Sequence, residues 1–180
     1  MNNNRHTLKA LLIEDNKDDE DLLIRELRRH FKVTYQCIQT LAAMQLAVSK
    51  THWDVILCDY KLPEFSPDKA LEIMRDHEDV PFILVSGSVQ EDIVIDLLKL
   101  GVHDFISKDN MGRLAFAIKR EMIEANNRIQ HKIDLDNMFN MTIMAWGKAM
   151  ELRDVYTHNH TSRVTDLTLK LTHLLDVPST

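Results

Sequence analysis

The feature that most constrains this chain is a regular alternation of short apolar runs with longer amphipathic segments, from Leu8 to about Gly112. The short runs are rich in valine, isoleucine and leucine, as buried strands are, and the segments between them carry apolar residues at helical spacing. Repeated strand–helix units of this kind build a parallel sheet with helices on both faces. We therefore predict an α/β protein with a five-stranded doubly wound parallel sheet.

The same alternation predicts the individual strands and helices. The strands are LKALLI before Glu14, VTYQCI from Val33, DVILCD ending at Asp59, PFILVS ending at Ser86 and DFISK ending at Lys108. The helices are expected at Glu20–Arg29, Leu41–Lys50, Lys69–His77 and Glu91–Leu100, with a fifth starting near Leu114. A chain of 180 residues has room for this domain and for part of another.

Charged and hydroxyl residues stand where four of the predicted strands end: Glu14, Asp15, Asp59, Ser86 and Lys108. Ligands of an open parallel sheet bind outside the carboxyl ends of its strands, so these side chains are expected to converge. Crowded carboxylates repel one another unless a hard cation neutralises them, and such oxygen ligands suit Mg²⁺. The sequence thus predicts a magnesium site in which Asp59 attacks a phosphoryl group, Lys108 pairs with that group and Ser86 donates to it.

These segments resemble the response-regulator receiver (CheY-like) family over roughly the first two thirds of the chain. LLIEDN is similar to its acidic pair, CDYKLPEF to its phosphoacceptor loop, VSGS to its hydroxyl-bearing strand and DFISK to its lysine-bearing strand. The resemblance implies that a sensor histidine kinase or a phosphotransfer protein phosphorylates Asp59. It also implies that the main-chain carbonyl of Lys61 binds the metal and that Phe105 is an aromatic switch, which turns inward on phosphorylation.

Some charged residues near these motifs have a structural interpretation instead. Asp18 and Asp19, in NKDDED, are interpreted as charges at the start of a helix and are left out of the predicted site. The adjacent His103 and Asp104 could be mistaken for a metal-binding dyad. They open the fifth strand, and we interpret them as structural.

After Gly112 the sequence predicts one long helix, from Leu114 to about Arg153, because this stretch contains no proline. Its apolar residues alternate between spacings of three and four, with Lys132 and Asp136 interrupting the seam: Ala115, Ile118, Met122, Ala125 and Ile129, then Phe139, Ile143, Trp146 and Met150. This spacing favours a linker helix that also forms a homodimer as a coiled coil. The alternative is that its first part packs only on its own sheet and the rest on a following domain.

The segment from Ala149 to Leu175 resembles the start of the HD-GYP family, metal-dependent phosphohydrolases that cleave cyclic di-GMP. The matching residues are Glu151, Arg153-Asp154, Tyr156-Thr157, His160 and Arg163-Val164, and Asn159 stands where the family usually has glycine. By this resemblance His160 is the first metal-ligand histidine of an incomplete second site, since one imidazole cannot hold a catalytic metal ion. The other ligands are expected beyond Thr180, and a divalent transition metal is expected only in the complete domain.

The predicted organisation is a receiver domain at 1–124, a linker helix at 125–146 and the N-terminal fragment of an HD-GYP-like domain at 147–180. The predicted function is that of a two-component response regulator, whose phosphorylation controls a cyclic di-GMP phosphodiesterase. That hydrolase activity is expected only of a longer parent protein. The alternative is a phosphorylation-dependent interaction protein that acts through its C-terminal helices without hydrolase activity.

Charge and hydropathy argue against nucleic-acid and membrane partners. The formal net charge is −6, and no lysine and arginine cluster lies on a predicted helix face, so we expect no direct nucleic-acid binding. The apolar run in MNNNRHTLKALLIEDN is too short for a signal peptide or a membrane span. A cytoplasmic protein with no membrane partner is expected.

Overall fold

The computed structural model describes residues 5–62, 67–77, 79–87, 91–153 and 160–174. The strands are β1 (Thr7–Ile13), β2 (Lys32–Ile38), β3 (Val55–Asp59), β4 (Phe82–Ser86) and β5 (Asp104–Ser107). The helices are α1 (Lys17–His30), α2 (Leu41–Lys50), α3 (Pro67–Met74), α4 (Glu91–Lys99), α5 (Leu114–Arg153) and α6 (His160–Leu174). Two 3₁₀ segments, Arg75–His77 and Lys108–Arg113, follow α3 and β5.

The sheet has the order β2-β1-β3-β4-β5, and every pair of neighbouring strands is parallel. The chain adds β2 on one side of β1 and then crosses to the other side to add β3, so the direction of winding reverses between β1 and β3. A ligand crevice opens at such a reversal, outside the carboxyl ends of the strands. The predicted five-stranded doubly wound parallel sheet is confirmed.

Alternate side chains of the central strands supply two apolar layers. On one face Leu57 and Val85 pack with α1 and α5, and on the other Ile56 and Leu84 pack with α2, α3 and α4. Because helices cover both faces, β3 and β4 are buried along their whole length, whereas the edge strand β2 is mostly exposed on alternate residues. The two strands that end in Asp59 and Ser86 are therefore the best-anchored part of the sheet.

The ends of the helices follow local hydrogen bonding. Helix α1 begins at Lys17, three residues before the predicted Glu20, because the Asn16 side chain caps it by accepting the Asp18 N–H at 2.8 Å. Helix α4 ends just before Gly101, whose φ of 115° is a conformation that favours glycine. The early start of α1 places both Asp18 and Asp19 in its first turn.

Helix α5 has the predicted bounds, but its apolar seam does not have one role throughout. Ala115, Ile118 and Ala125 are buried against the sheet, and Met122 packs against the same layer. The prediction that this first half of the seam contributes to a coiled coil is therefore wrong. These residues are occupied by the core of their own sheet, as the alternative interpretation expected.

The chain divides into two compact units, Met1–Ile129 and Gln130–Thr180. The first unit contains the sheet, α1 to α4 and the start of α5, and the second contains the rest of α5 and α6. Within the segment for which the sequence predicted an HD-GYP resemblance, residues 154–159 and 175–180 lie outside the described part of the chain, as does the side chain of His160. No helix in the described ranges is long and apolar enough to cross a membrane.

Candidate functional site

The parallel register brings the ends of the strands to one edge of the sheet. Ile13, Asp59 and Ser86 close β1, β3 and β4, and Ser86 is in register with Ser107, the last residue of β5. Glu14 follows β1 and Lys108 follows β5 directly. The predicted site residues therefore meet at the carboxyl edge, across the reversal between β1 and β3.

Three carboxylates form the centre of this edge. Ligand oxygens of Glu14, Asp15 and Asp59 all lie within 4.8 Å of one another. Glu14 and Asp59 are buried, whereas Asp15 is exposed. Burial raises the pKa of Glu14, and the nearby Asp59 charge adds to this, although hydrogen bonds from the Asn16 N–H and Lys108 oppose it. This crowding of negative charge is what the sequence predicted.

The Lys108 ammonium holds the carboxylates together. Its Nζ donates to Glu14 Oε2 at 3.0 Å, to Asp59 Oδ2 at 2.9 Å and to Asp19 Oδ2 at 2.6 Å. Burial of the amine disfavours its charge, but the hydrogen bonds to Asp19, Asp59 and Glu14 outweigh this effect and raise the pKa of Lys108. The side chain is thus a fixed cation at the site, with its donors directed at carboxylates.

Asp19 is a site residue that the sequence reasoning missed. The first turn of α1 follows the acidic pair within a few residues, so it lies at the same edge of the sheet. Asp19 makes the shortest of the three Lys108 contacts, whereas its neighbour Asp18 is exposed. The signal that could have identified Asp19 is this position, since the first turn of a helix that starts at the carboxyl edge faces the site.

The donor set fits a hard divalent cation. Four carboxylates and one ammonium leave three negative charges uncompensated when all are ionised. Carboxylate oxygens are the ligands that Mg²⁺ prefers, while zinc and copper favour nitrogen and sulfur. Glu14, Asp15 and Asp59 are compact enough to hold one such ion.

The Ser86 hydroxyl is buried beside this edge without a partner. The residue is 1% exposed, and within the described part of the chain its Oγ makes no hydrogen bond. A buried unsatisfied polar group costs about 1–3 kcal/mol, so the hydroxyl is suited to a ligand oxygen that arrives from outside the chain. This orphan donor is the second sign, after the carboxylates, that the site takes an anionic ligand together with a cation.

Two further predicted residues have definite positions. The backbone N–H of Lys61 donates to Asp59 Oδ1 at 3.2 Å, which orients that carboxylate. Phe105 lies on β5 and packs, partly buried, against the apolar layer formed with α2, α3 and α4. It is two residues before Ser107, the β5 neighbour of Ser86.

The His103–Asp104 pair lies at the opposite edge of the sheet, at the start of β5. His103 Nδ1 accepts the Phe82 N–H at 3.1 Å, and Asp104 forms an ion pair with Arg120 at 2.7 Å. Each side chain is therefore used in joining β5 to a neighbouring strand or helix. The pair is remote in the fold from the acidic edge.

The fold and the acidic edge together define a flavodoxin-like α/β protein with a carboxylate and lysine site at its winding reversal. The chain belongs to the response regulator receiver domain family, because the model of that family matches residues 10–119, more than half of the 180 residues. The predicted receiver is thereby confirmed. The matched residues include the acidic pair, Asp59, Ser86 and Lys108.

Two curated relatives match about half of the chain. The regulatory protein AtoC of Escherichia coli is 32% identical over 96 residues, which are 51% of this chain and 21% of AtoC. The transcriptional regulatory protein KdpE of Staphylococcus aureus is 32% identical over 101 residues, which are 56% of this chain and 43% of KdpE. The chain thus spans less than half the length of these two relatives.

Solved structures show the same fold. The receiver domain of the Francisella response regulator 1452 has a TM-score of 0.57 at 18% identity, covering 65% of this chain and 98% of that one. The receiver domain of the sensor histidine kinase PA1611 of Pseudomonas aeruginosa PAO1 has a TM-score of 0.57 at 20% identity, covering 64% and 98%. That domain holds a magnesium ion in its active-site cleft.

Proposed function

We propose that Asp59 accepts a phosphoryl group from the phosphohistidine of a sensor histidine kinase or of a phosphotransfer protein. The observation that carries the proposal is the contact of Lys108 with Asp59 and Glu14, next to the unpartnered hydroxyl of Ser86. A cation and a free donor beside a buried carboxylate suit a group with several anionic oxygens. Membership of the receiver family supports the same chemistry.

In the proposed transfer an Asp59 carboxylate oxygen forms a bond to phosphorus while the bond from phosphorus to the histidine nitrogen breaks. Lys108 Nζ exchanges carboxylate contacts for a phosphoryl oxygen, and Ser86 Oγ donates to another. Glu14, Asp15, Asp59 and the main-chain carbonyl of Lys61 would hold Mg²⁺, which when bound supplies further neutralisation of the phosphoryl charge. The donor atoms in this edge of the sheet and the magnesium ion in the PA1611 receiver support the choice of metal.

We assign Phe105 the role of the switch. When Ser86 Oγ turns toward a phosphoryl oxygen, space next to β5 becomes available to the Phe105 ring, which then packs further inward. The support is position, since Phe105 is only partly buried and lies on the strand that pairs with Ser86. Binding of the phosphoryl group would in this way alter the surface formed by β5 and its neighbours.

Intact-mass measurement after treatment with acetyl phosphate tests the nucleophile. The chain should gain the mass of one phosphoryl group with Mg²⁺ present and none with EDTA, and Asp59→Asn should gain none. Asp96→Asn, on the exposed side of α4, is the matched control and should be phosphorylated like the parent. An equal mass gain in Asp59→Asn would assign the phosphate to another residue.

The proposed output is a cyclic di-GMP phosphodiesterase of the HD-GYP class, of which residues 147–180 supply the first part. Its support is the resemblance of the motif that includes His160 to that family. The alternative output remains a surface of the C-terminal helices that binds a partner only in one phosphorylation state.

The 180-residue chain should neither hydrolyse cyclic di-GMP nor retain a stoichiometric transition metal after dialysis. Turnover by this chain would contradict the assignment of His160 as the one metal-ligand histidine within it.

We further propose that the second half of α5 joins two copies of the chain. This half of the helix carries one apolar stripe at helical spacing, and each of its residues is more than half exposed: Leu135, Phe139, Ile143, Trp146 and Met150. Spacings of four, three and four from Phe139 to Met150 are those of a two-stranded coiled coil, in which the apolar stripes of two identical helices pack against each other.

A cytoplasmic location and the absence of direct nucleic-acid binding remain predictions from the sequence.

A further inference from the structure

A groove with a volume of about 340 Å³ opens at the amino-terminal edge of β4 and β5, opposite the acidic edge that holds Glu14, Asp59 and Lys108. Its floor is apolar, formed by the buried side chains of Met74, Val80 and Phe82. Gly101 and the exposed Leu100 form part of its rim. The volume falls in the range of small-molecule sites, which combine an apolar floor with a few polar groups.

The polar groups of this groove are basic. Arg75, His77, His103 and Arg128 line it, and among the side chains that the structure describes no carboxylate does. The Glu121 carboxylate is near enough to act on His103, but Arg120 holds it at 2.7 Å. In a chain of net charge −6, the guanidiniums of Arg75 and Arg128 make the groove a local site of attraction for anions.

The hydrogen bonds of His103 leave two donors facing each other. Its Nδ1 accepts the Phe82 N–H, so a neutral ring carries its proton on Nε2. That Nε2 lies 3.1 Å from Nη2 of Arg128, and a guanidinium can only donate. Burial, with the Arg128 charge, lowers the pKa of His103 and so keeps the ring neutral. Two N–H groups thus converge without an acceptor.

We propose that this groove binds a small organic anion, whose phosphate or carboxylate oxygens accept hydrogen bonds from His103 Nε2 and the Arg128 guanidinium. The apolar part of the ligand would lie over Met74 and Phe82. The Arg75 guanidinium would add to the attraction of the anion at longer range. Because Arg128 belongs to α5 and His103 precedes β5, the bound anion would link helix and sheet within the first compact unit.

Titration of the ¹⁵N-labelled full chain by NMR tests the site, with phenyl phosphate, benzoate and neutral benzyl alcohol as ligands and with EDTA present. One or both anions should cause saturable shifts of Val80, Gly101 and His103, and the tighter anion identifies the preferred group. Benzyl alcohol should bind at least about tenfold more weakly, because it lacks the charge-assisted hydrogen bonds. No saturation at millimolar anion, or shifts centred on Asp59, would overturn the proposal.

Arg128→Gln should weaken the binding of the anion at least about tenfold, since it removes a charged donor from an exposed side chain. Arg113→Gln makes the same change on another exposed arginine outside the groove and should leave the affinity unaltered. Equal affinities in the two variants would refute the site.

Long-range ¹H–¹⁵N spectra of the imidazoles give an independent readout, which does not depend on a ligand. His103 should be the tautomer protonated on Nε2. A proton on Nδ1 would supply Arg128 with an acceptor and remove the unpaired donors on which the proposal rests.

Discussion

At the scale of single residues, Lys108 contacts two carboxylates that the proposed phosphoryl transfer uses, Glu14 and Asp59, and one that it does not, Asp19. Asp19 Oδ2 accepts a hydrogen bond from Lys108 Nζ at 2.6 Å, and the Asp19 side chain is 30% exposed. A phosphoryl oxygen that binds this ammonium must displace one of its three carboxylate partners, and Asp19 is the most exposed of them. We therefore expect Asp19 to compete with the incoming phosphoryl group in the proposed transfer and to slow it.

Asp19→Asn should speed phosphorylation by acetyl phosphate about two- to fivefold, because a partly exposed ion pair contributes roughly 0.5–1 kcal/mol. Stopped-flow or timed intact-mass measurement at saturating Mg²⁺ gives the rate. Asp18→Asn makes the same change one residue earlier on an exposed side chain and should leave the rate unaltered. A slower Asp19→Asn would show instead that Asp19 positions Lys108 for the transfer.

At the scale of elements, α5 changes its environment along its length. The side chain of Ile118 is fully buried in the layer shared with α1, whereas that of Ile143, in the second compact unit, is 51% exposed. The two residues have the same side chain on the same helix. The same substitution at both positions therefore distinguishes the contribution of core packing to the stability of the receiver from that of the exposed stripe.

Ile118→Ala should lower the free energy of unfolding of the receiver by about 2–5 kcal/mol, through lost burial and the cavity left behind. Ile143→Ala is the control and should change it by less than about 0.5 kcal/mol when the chain is monomeric. Urea denaturation at low protein concentration, followed by the near-ultraviolet signal of the receiver, measures both. Similar losses in the two variants would mean that the exposed half also supports the receiver core.

At the scale of the whole molecule, the second half of α5 is the surface through which two chains are proposed to associate. Light scattering should give a dimer for residues 1–180 and a monomer for a chain that ends at Ile129, the end of the first compact unit. Ile143→Asp with Trp146→Asp should make the full chain monomeric, because charges on the seam oppose the pairing of apolar faces. A dimer that survives in both forms would place the interface on the receiver.

The sequence by itself determined the α/β class, the α2 and α5 bounds and the membership of Glu14, Asp59 and Lys108 in one site. These follow from local causes, since apolar periodicity sets strands and helices and a parallel sheet brings its strand ends to one edge. The apolar seam of α5 was equally visible, but periodicity records only that a face is apolar. It does not say what covers that face.

Only the tertiary structure decided the rest. The strand order, and with it the reversal between β1 and β3, depends on which strands meet across long stretches of chain. The contact of Asp19 with Lys108 joins residues 89 positions apart, and the facing donors of His103 and Arg128 depend on α5 passing the start of β5. Such pairs have no local signature, because their geometry exists only once the sheet and its helices are packed.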